Sequence, residues 1–231
     1  MERREARFRT VPAGPPFGAV LLDIDGCLIA SNDAHARAWS DTLRLFGRSV
    51  PPSRVRFQIG KGGAELLRDI VSPAEHYVLA KAMGATQTTL FLKRFRREVR
   101  PVPGAAAAVR AMRRAGIAVV LASSAERRVV DHVVSFLRLG SVLTGTTSAD
   151  DVKKAKPFHD VFSLAVDRFR LASRRPLAVG DTPYDVAAAH QMGLACVALR
   201  SGGFPVASLR TAQWVCRDVA DLWESRRGLF A

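Results

Sequence analysis

Short runs of consecutive apolar residues alternate along this chain with stretches in which apolar side chains recur every third or fourth position. The runs are AVLLD (19–23), IAVVLAS (117–123), SVLTG (141–145), PLAVGD (176–181) and LACVAL (194–199), with QWVCRD (213–218) as a short edge strand near the end. Unbroken apolarity is what a strand needs when helices cover both of its faces, so the runs predict a parallel sheet. Helical spacing fills the gaps in PGAAAAVRAMRRAG (103–116), AERRVVDHVVSFLRLG (125–140), PFHDVFSLAVDRF (157–169) and TPYDVAAAHQMG (182–193), several of them opened by proline and closed by glycine. Strand then helix, repeated, predicts an α/β fold built on a doubly wound parallel sheet.

Residues 31–100 break this rhythm, because no strand pattern stands between the first and second runs. The segment reads as helices: SNDAHARAWSDTLRLFG (31–47), GGAELLRDI (62–70) and the long PAEHYVLAKAMGATQTTLFLKRFRREV (73–99), with PVPG marking the return. Seventy residues are too many for a loop between adjacent strands. The expected organisation is therefore a loose tail over 1–16, a core formed by 17–30 with 101–231, and an inserted α-helical cap over 31–100.

The first run ends in Asp23 and Asp25, and unpaired carboxylates at the end of a buried strand are costly to desolvate. In parallel sheets ligands bind at the carboxyl ends of strands, and this chain places polar residues there repeatedly: Asp23 with Asp25, Ser123, Lys156 and Asp181. An aspartate after a strand is most often a cap or turn residue, so the combination, not any single member, carries the signal.

Taken in order, DIDGCL, VVLASS, KKAKPFHD and VGDTPYD resemble the four motifs of the haloacid dehalogenase (HAD) superfamily, and the helical insert sits where the family's first-type cap belongs. The match spans about residues 18–225. The resemblance implies a Mg²⁺-dependent phosphatase with a Rossmann-like core, acting on a small phosphorylated metabolite. Asp23 would be the nucleophile that forms an aspartyl-phosphate, and Asp25, two residues on and pointing to the same side, the general acid and base. Ser123 would bind a phosphate oxygen and Lys156 would neutralise charge on phosphate and nucleophile. The implied metal ligands are the Asp23 carboxylate, the Asp25 backbone carbonyl and Asp181, with Asp185 one helical turn on and behind the metal ligands. Mg²⁺ suits such a set because a hard octahedral ion takes carboxylate, carbonyl, water and phosphate oxygens together.

Gly26 permits the sharp turn after Asp25 and lets backbone N–H groups approach phosphate. Ser124 is either a helix cap or a phosphate contact. Cys27 stands where relatives often have threonine, and without a nearby base it is not a nucleophile. His35 and Trp39 fall one turn apart behind the catalytic loop; core packing is the simpler account of Trp39, and His35 reads equally as packing or substrate contact. Lys61, between glycines in IGKGGAELL, is the expected anion contact of the cap. The GDTPYD motif is most similar to the phosphoglycolate phosphatase branch, while HARAW resembles the first cap helix of β-phosphoglucomutases. A phosphotransferase, a phosphonoacetaldehyde hydrolase using Lys61 as a Schiff base, and a non-catalytic basic binding protein stand as alternatives.

The formal charge of +14 invites a nucleic-acid reading, but only six of the 35 basic residues are lysines and the arginines form no aromatic-interleaved stripe. Composition bias is the simpler account, so no nucleic-acid partner is expected. Three scattered cysteines fit neither a disulfide framework nor a zinc site. With no apolar run of membrane-spanning length, the expectation is a cytoplasmic monomer or homodimer.

Overall fold

A computed structural model of the chain describes residues 15–230, so nearly all of the expected tail lies outside the described residues. Strand β1 (Ala19–Leu22) leads through a tight turn into β2 (Ile29–Ala30). The chain then forms α1 (Asn32–Leu45), α2 (Pro52–Arg56), α3 (Gly63–Arg68) and α4 (Pro73–Leu90), and returns through β3 (Arg100–Pro101), which pairs antiparallel with β2. The two crossings between core and insert therefore lie side by side. Helix α4 opens with Pro73 behind a Ser72–Glu75 capping box, in which each side chain takes the other's orphan N–H. It ends irregularly, widening to a π-helical turn over Phe91–Phe95 and tightening to a 3₁₀ turn over Arg96–Glu98.

The remainder alternates as the apolar runs predict: α5 (Ala105–Arg114), β4 (Ala118–Ala122), α6 (Arg127–Phe136), β5 (Gly145–Thr147), α7 (Asp160–Arg168), β6 (Pro176–Gly180), α8 (Pro183–Gln191), β7 (Cys196–Leu199), α9 (Val206–Leu209), β8 (Trp214–Cys216) and α10 (Val219–Ser225). Six strands form one parallel sheet in the order β5-β4-β1-β6-β7-β8. Helices α5, α6 and α10 cover one face and α7, α8 and α9 the other, so β1, β4 and β6 are buried along their whole length. The sheet is doubly wound, and its first strand is central.

The SVLTG run does not form the expected strand: β5 starts at Gly145. Val142 and Leu143 instead turn back on Leu139 by hydrogen bonds of 2.9 and 3.1 Å and pack on the core from a loop. Their apolarity reports burial, which a loop satisfies as well as a strand does. Helix α2 lies in a stretch to which no helix was assigned, and it is held by Val55 in the insert's own apolar cluster with Trp39, Leu43, Leu66, Leu67 and Met83. No helix among the described residues is long and apolar enough to cross a membrane.

Candidate active site

Asp23 sits at the carboxyl end of the central strand, its N–H donated to Val179 O at 2.9 Å. The chain then tightens, because the Ile24 carbonyl accepts from Cys27 and Leu28 while the Ile24 side chain enters the core. Gly26 has φ +73, and a Cβ there would stand 2.2 Å from Asp181 Oδ2. That close approach, together with the left-handed backbone, is why glycine is needed. Its own N–H is donated to Ile29 O and its carbonyl accepts from Ser201, and the bare Cα makes room for Asp181.

The buried Lys156 ammonium lies 2.8 Å from Asp23 and 2.7 Å from Asp185. Burial would lower the lysine's pKa, but the two carboxylates raise it, and the group stays charged. Burial pushes Asp23 up to about 7, with Asp185 and Asp25 adding to the rise and Lys156 opposing it. Asp185 thus serves Lys156 directly. Its other oxygen accepts from the Thr182 N–H and hydroxyl, closing the capping box that starts α8. A single carboxylate therefore fixes both the helix start and the lysine.

Asp25 accepts from the Ser31 hydroxyl and faces His35 Nε2 at 3.1 Å. Burial raises its pKa, but the His35 and Ser31 contacts outweigh that and hold the carboxyl below its usual range. His35 is oriented from both sides: Gln87 of α4 meets its Nδ1 at 3.0 Å, and the Phe91 ring stacks on it with centroids 3.8 Å apart. Sequence reasoning missed Ser31 and Gln87. Ser31 looks like a helix cap in the sequence, and Gln87 sits in a polar stretch, Thr86 to Thr89, of a long helix, where nothing sets it apart.

Asp181 accepts from Asn32 Nδ2 at 2.9 Å, and the Cys27 thiol points at it from 3.6 Å. Burial, with Asp185 and Asp23 close by, pushes the Asp181 pKa well above the usual carboxylate range. Ligand atoms of Asp23, Cys27 and Asp181 lie within 4.8 Å of one another. Burial and the neighbouring aspartates also raise the Cys27 thiol, so it stays neutral and leaves oxygens as the donors. Asn32, which also bonds Gly202 O, was missed because it reads as an ordinary helix-start residue. A Cβ on Gly202 would meet Asp181 Oδ2 at 1.6 Å, so the loop after β7 must pass bare backbone beside this carboxyl.

Ser123 is buried at the end of β4 and its Oγ accepts the Ala125 N–H at 3.1 Å. Ser124 Oγ instead accepts from Lys156 N, and neither caps α6, whose first N–H, that of Arg127, is donated to Asp150 at 2.8 Å. A cleft of about 580 Å³ opens between insert and core, lined by Asp25, His35, Trp39 and Ser124 near the strand ends and by Arg68, His76 and Lys81 from the insert. Lys61 is not in it. Its ammonium is held by Asp69 and Gln58 and lies over the Tyr184 ring at 4.9 Å, so the structure places it between insert and α8 and outside the cleft where a substrate contact was expected. Glycines bring the loop against the core, with Gly62 N–H on Lys156 O at 3.0 Å and Tyr184 hydroxyl on Phe57 O at 2.6 Å.

Residues 17–193 match the haloacid dehalogenase-like hydrolase family. The chain belongs to that family. It is 26% identical over 208 residues to a phosphoglycolate phosphatase of Pseudomonas syringae pv. syringae (strain B728a), covering 87% of this chain and 76% of that one. It is 23% identical to validoxylamine A 7'-phosphate phosphatase of Streptomyces hygroscopicus subsp. limoneus, over 79% of this chain and 85% of the relative. In structure it superposes on a hydrolase from Pseudomonas syringae with a TM-score of 0.83 at 22% identity, covering 92% and 99% of the two chains. The protein is an enzyme, a HAD-family phosphatase, and the non-catalytic alternative is set aside.

Proposed function

We propose that this phosphatase hydrolyses a small phosphate monoester, of the phosphoglycolate or sugar-phosphate kind, through an aspartyl-phosphate on Asp23. The observation that carries the reading is the buried Asp23–Lys156–Asp185 cluster, with Asp25, two residues along the chain from Asp23, lining the cleft. Asp23 attacks phosphorus, and Lys156 keeps it in place while offsetting the charge that builds on the phosphoryl oxygens. Ser123 holds a phosphoryl oxygen with its hydroxyl, and Ser124 lines the way in.

Asp25 carries the proton traffic. His35 and Ser31 keep it a carboxylate at rest, and the arrival of a phosphate dianion raises its affinity for a proton. It then protonates the leaving alkoxide, and as carboxylate it takes the proton of the water that attacks the phospho-Asp23. The residues fit a hard divalent cation: Asp23 and Asp181, two carboxyls driven upward in pKa by burial and by neighbouring aspartates, form an oxygen set short of positive charge, and Asn32 Oδ1 beside them has no hydrogen-bond partner among the described residues. Asp23, Asp181 and the Asp25 carbonyl would hold Mg²⁺, which when bound offsets the negative charge of carboxylates and phosphate.

Recognition of the leaving group falls to Arg68, His76 and Lys81, whose cationic or hydrogen-bonding heads suit a carboxylate or hydroxyls. A phosphonoacetaldehyde hydrolase built on Lys61 is disfavoured, because that ammonium is engaged with Asp69 outside the cleft. The test is a hydrolysis screen of purified protein against phosphoglycolate, sugar phosphates, glycerol phosphates and nucleotides, with acid trapping of the labelled enzyme. Turnover of a small monoester with label on Asp23 is expected; label on another residue sinks the mechanism.

A further inference from the structure

A second cavity, of about 190 Å³, lies where the insert joins the core. Its inner wall is Ile29, Phe91, Val99 and Val133, all buried, and its outer wall is Phe136, which is 48% exposed. Ile29 and Val99 belong to the two adjacent crossings of the chain between core and insert, and Phe91 opens the π-helical turn at the end of α4. Helix segments that depart from α geometry often mark hinges and functional sites. Any occupant would touch both the insert and the core at once.

The mouth of this cavity is cationic. Arg96 and Arg97 stand at its edge with His132, and among the described residues neither guanidinium makes an ion pair or hydrogen bond. Burial and the nearby Arg96 lower the His132 pKa, as expected where positive charge lacks an anion. An engineered apolar cavity of about 150 Å³ takes up benzene, so this one is sized for a single ring or a branched alkyl group. An apolar body with one anionic head complements both walls and mouth.

Phe91 also reaches the catalytic centre. Its ring stacks on His35 at 3.8 Å, and His35 lies 3.1 Å from Asp25. Only two aromatic rings separate the hinge cavity from the carboxyl that handles protons.

We propose that the hinge cavity binds a small carboxylate with an aromatic or branched apolar body, and that its occupancy restrains the insert and acts on Asp25 through Phe91 and His35. The binding half stands independently of the catalytic scheme above, and the coupling half rests on the role given there to Asp25. Phenylacetate is the probe, titrated into the full-length enzyme with Mg²⁺ by calorimetry and by following the ring signals of His35 and His132. A ligand of this size should bind with Kd of about 1 mM. The His35 signals should move, kcat should fall several-fold at saturation, and orthovanadate should not displace the probe. In R96E/R97E, whose changes are on exposed side chains, Kd should rise by about tenfold or more with the thermal midpoint unchanged. Neutral phenylacetamide should bind more weakly than the acid. Displacement by orthovanadate, an unaltered Kd in the double variant, or no binding to about 10 mM would overturn the site; an unmoved His35 and unchanged kcat at saturation would overturn the coupling.

Discussion

The core buries its decisive charges and the insert wears its charges outside. Lys156, Asp23, Asp181 and Asp185 are at most 3% exposed; Lys156 holds Asp23 and Asp185, and Asn32 and Cys27 meet Asp181, across elements far apart in sequence. On the insert, Arg48 pairs with Glu75, Arg94 with Asp41 and Arg37 with Glu98, all at the surface. Buried charges interact strongly and cost much to leave unpaired, whereas exposed pairs contribute little because water and salt screen them. The proposed chemistry therefore falls to the core and the proposed recognition to the insert.

Chelation should break the core most completely. With EDTA turnover is expected to vanish, and Mg²⁺ should restore it and raise the thermal midpoint, since a ligand that binds only the folded state stabilises it. The chelated protein should also show a sign set by Asp23: a carboxyl raised to about 7 stabilises the fold while protonated, so stability is lost as pH rises through about 7. Melting curves across that range, with and without Mg²⁺, check both points. Ca²⁺ should restore little activity, because its looser coordination misplaces the nucleophile.

Asp23→Asn comes next, with kcat falling by about three orders of magnitude or more. The protein should still fold, though less stably, since the change leaves the buried Lys156 ammonium with Asp185 as its remaining charged partner; steady-state kinetics with a melting curve separates the two effects. Asp185→Asn should act on stability as well, by about 3 kcal/mol, because it strips a buried ammonium of one partner. Chemical denaturation measures it, and a loss below about 1 kcal/mol would mean that Asp23 alone satisfies Lys156.

On the insert the effects should shrink and divide by direction. Arg68→Ala, inside the cleft, should lower kcat/KM for the best substrate by about tenfold and leave a small activated aryl phosphate nearly untouched. Lys61→Ala should change both substrates alike and weakly, because it loosens the clasp on Tyr184. A selective loss in Lys61→Ala would return that lysine to the substrate. The smallest effect is expected of Glu75→Gln. Arg48 and Ser72 hold the Glu75 pKa down to about 2, so its contribution is present above pH 4.5 and disappears as pH falls through about 2. The variant should melt close to wild type at high salt and slightly lower at low salt near neutrality.

Much of this molecule was legible in residue order because the relevant physics is local. Apolar runs long enough for a strand, proline and glycine at helix ends, and a helical stretch too long for a loop are all properties of neighbouring residues, and they announce the doubly wound sheet and its insert. The four motifs follow for the same reason, three being a strand end with its next turn and the third, KKAKPFHD, the loop that leads into α7. SVLTG failed because apolarity tells of burial and not of backbone shape.

The tertiary structure decided what each polar group touches, since those contacts join residues brought together only by folding. Residue order alone could not tell that Asp185 serves Lys156, that Asn32 and Cys27 flank Asp181, or that Gln87 and Phe91 orient His35. Nor could it give the direction of Lys61, because a lysine in a glycine loop is long and flexible, and its partner is whichever of Asp69, Tyr184 or a substrate the packed surfaces leave within reach. Chemical type was written in the sequence; pairing came from packing.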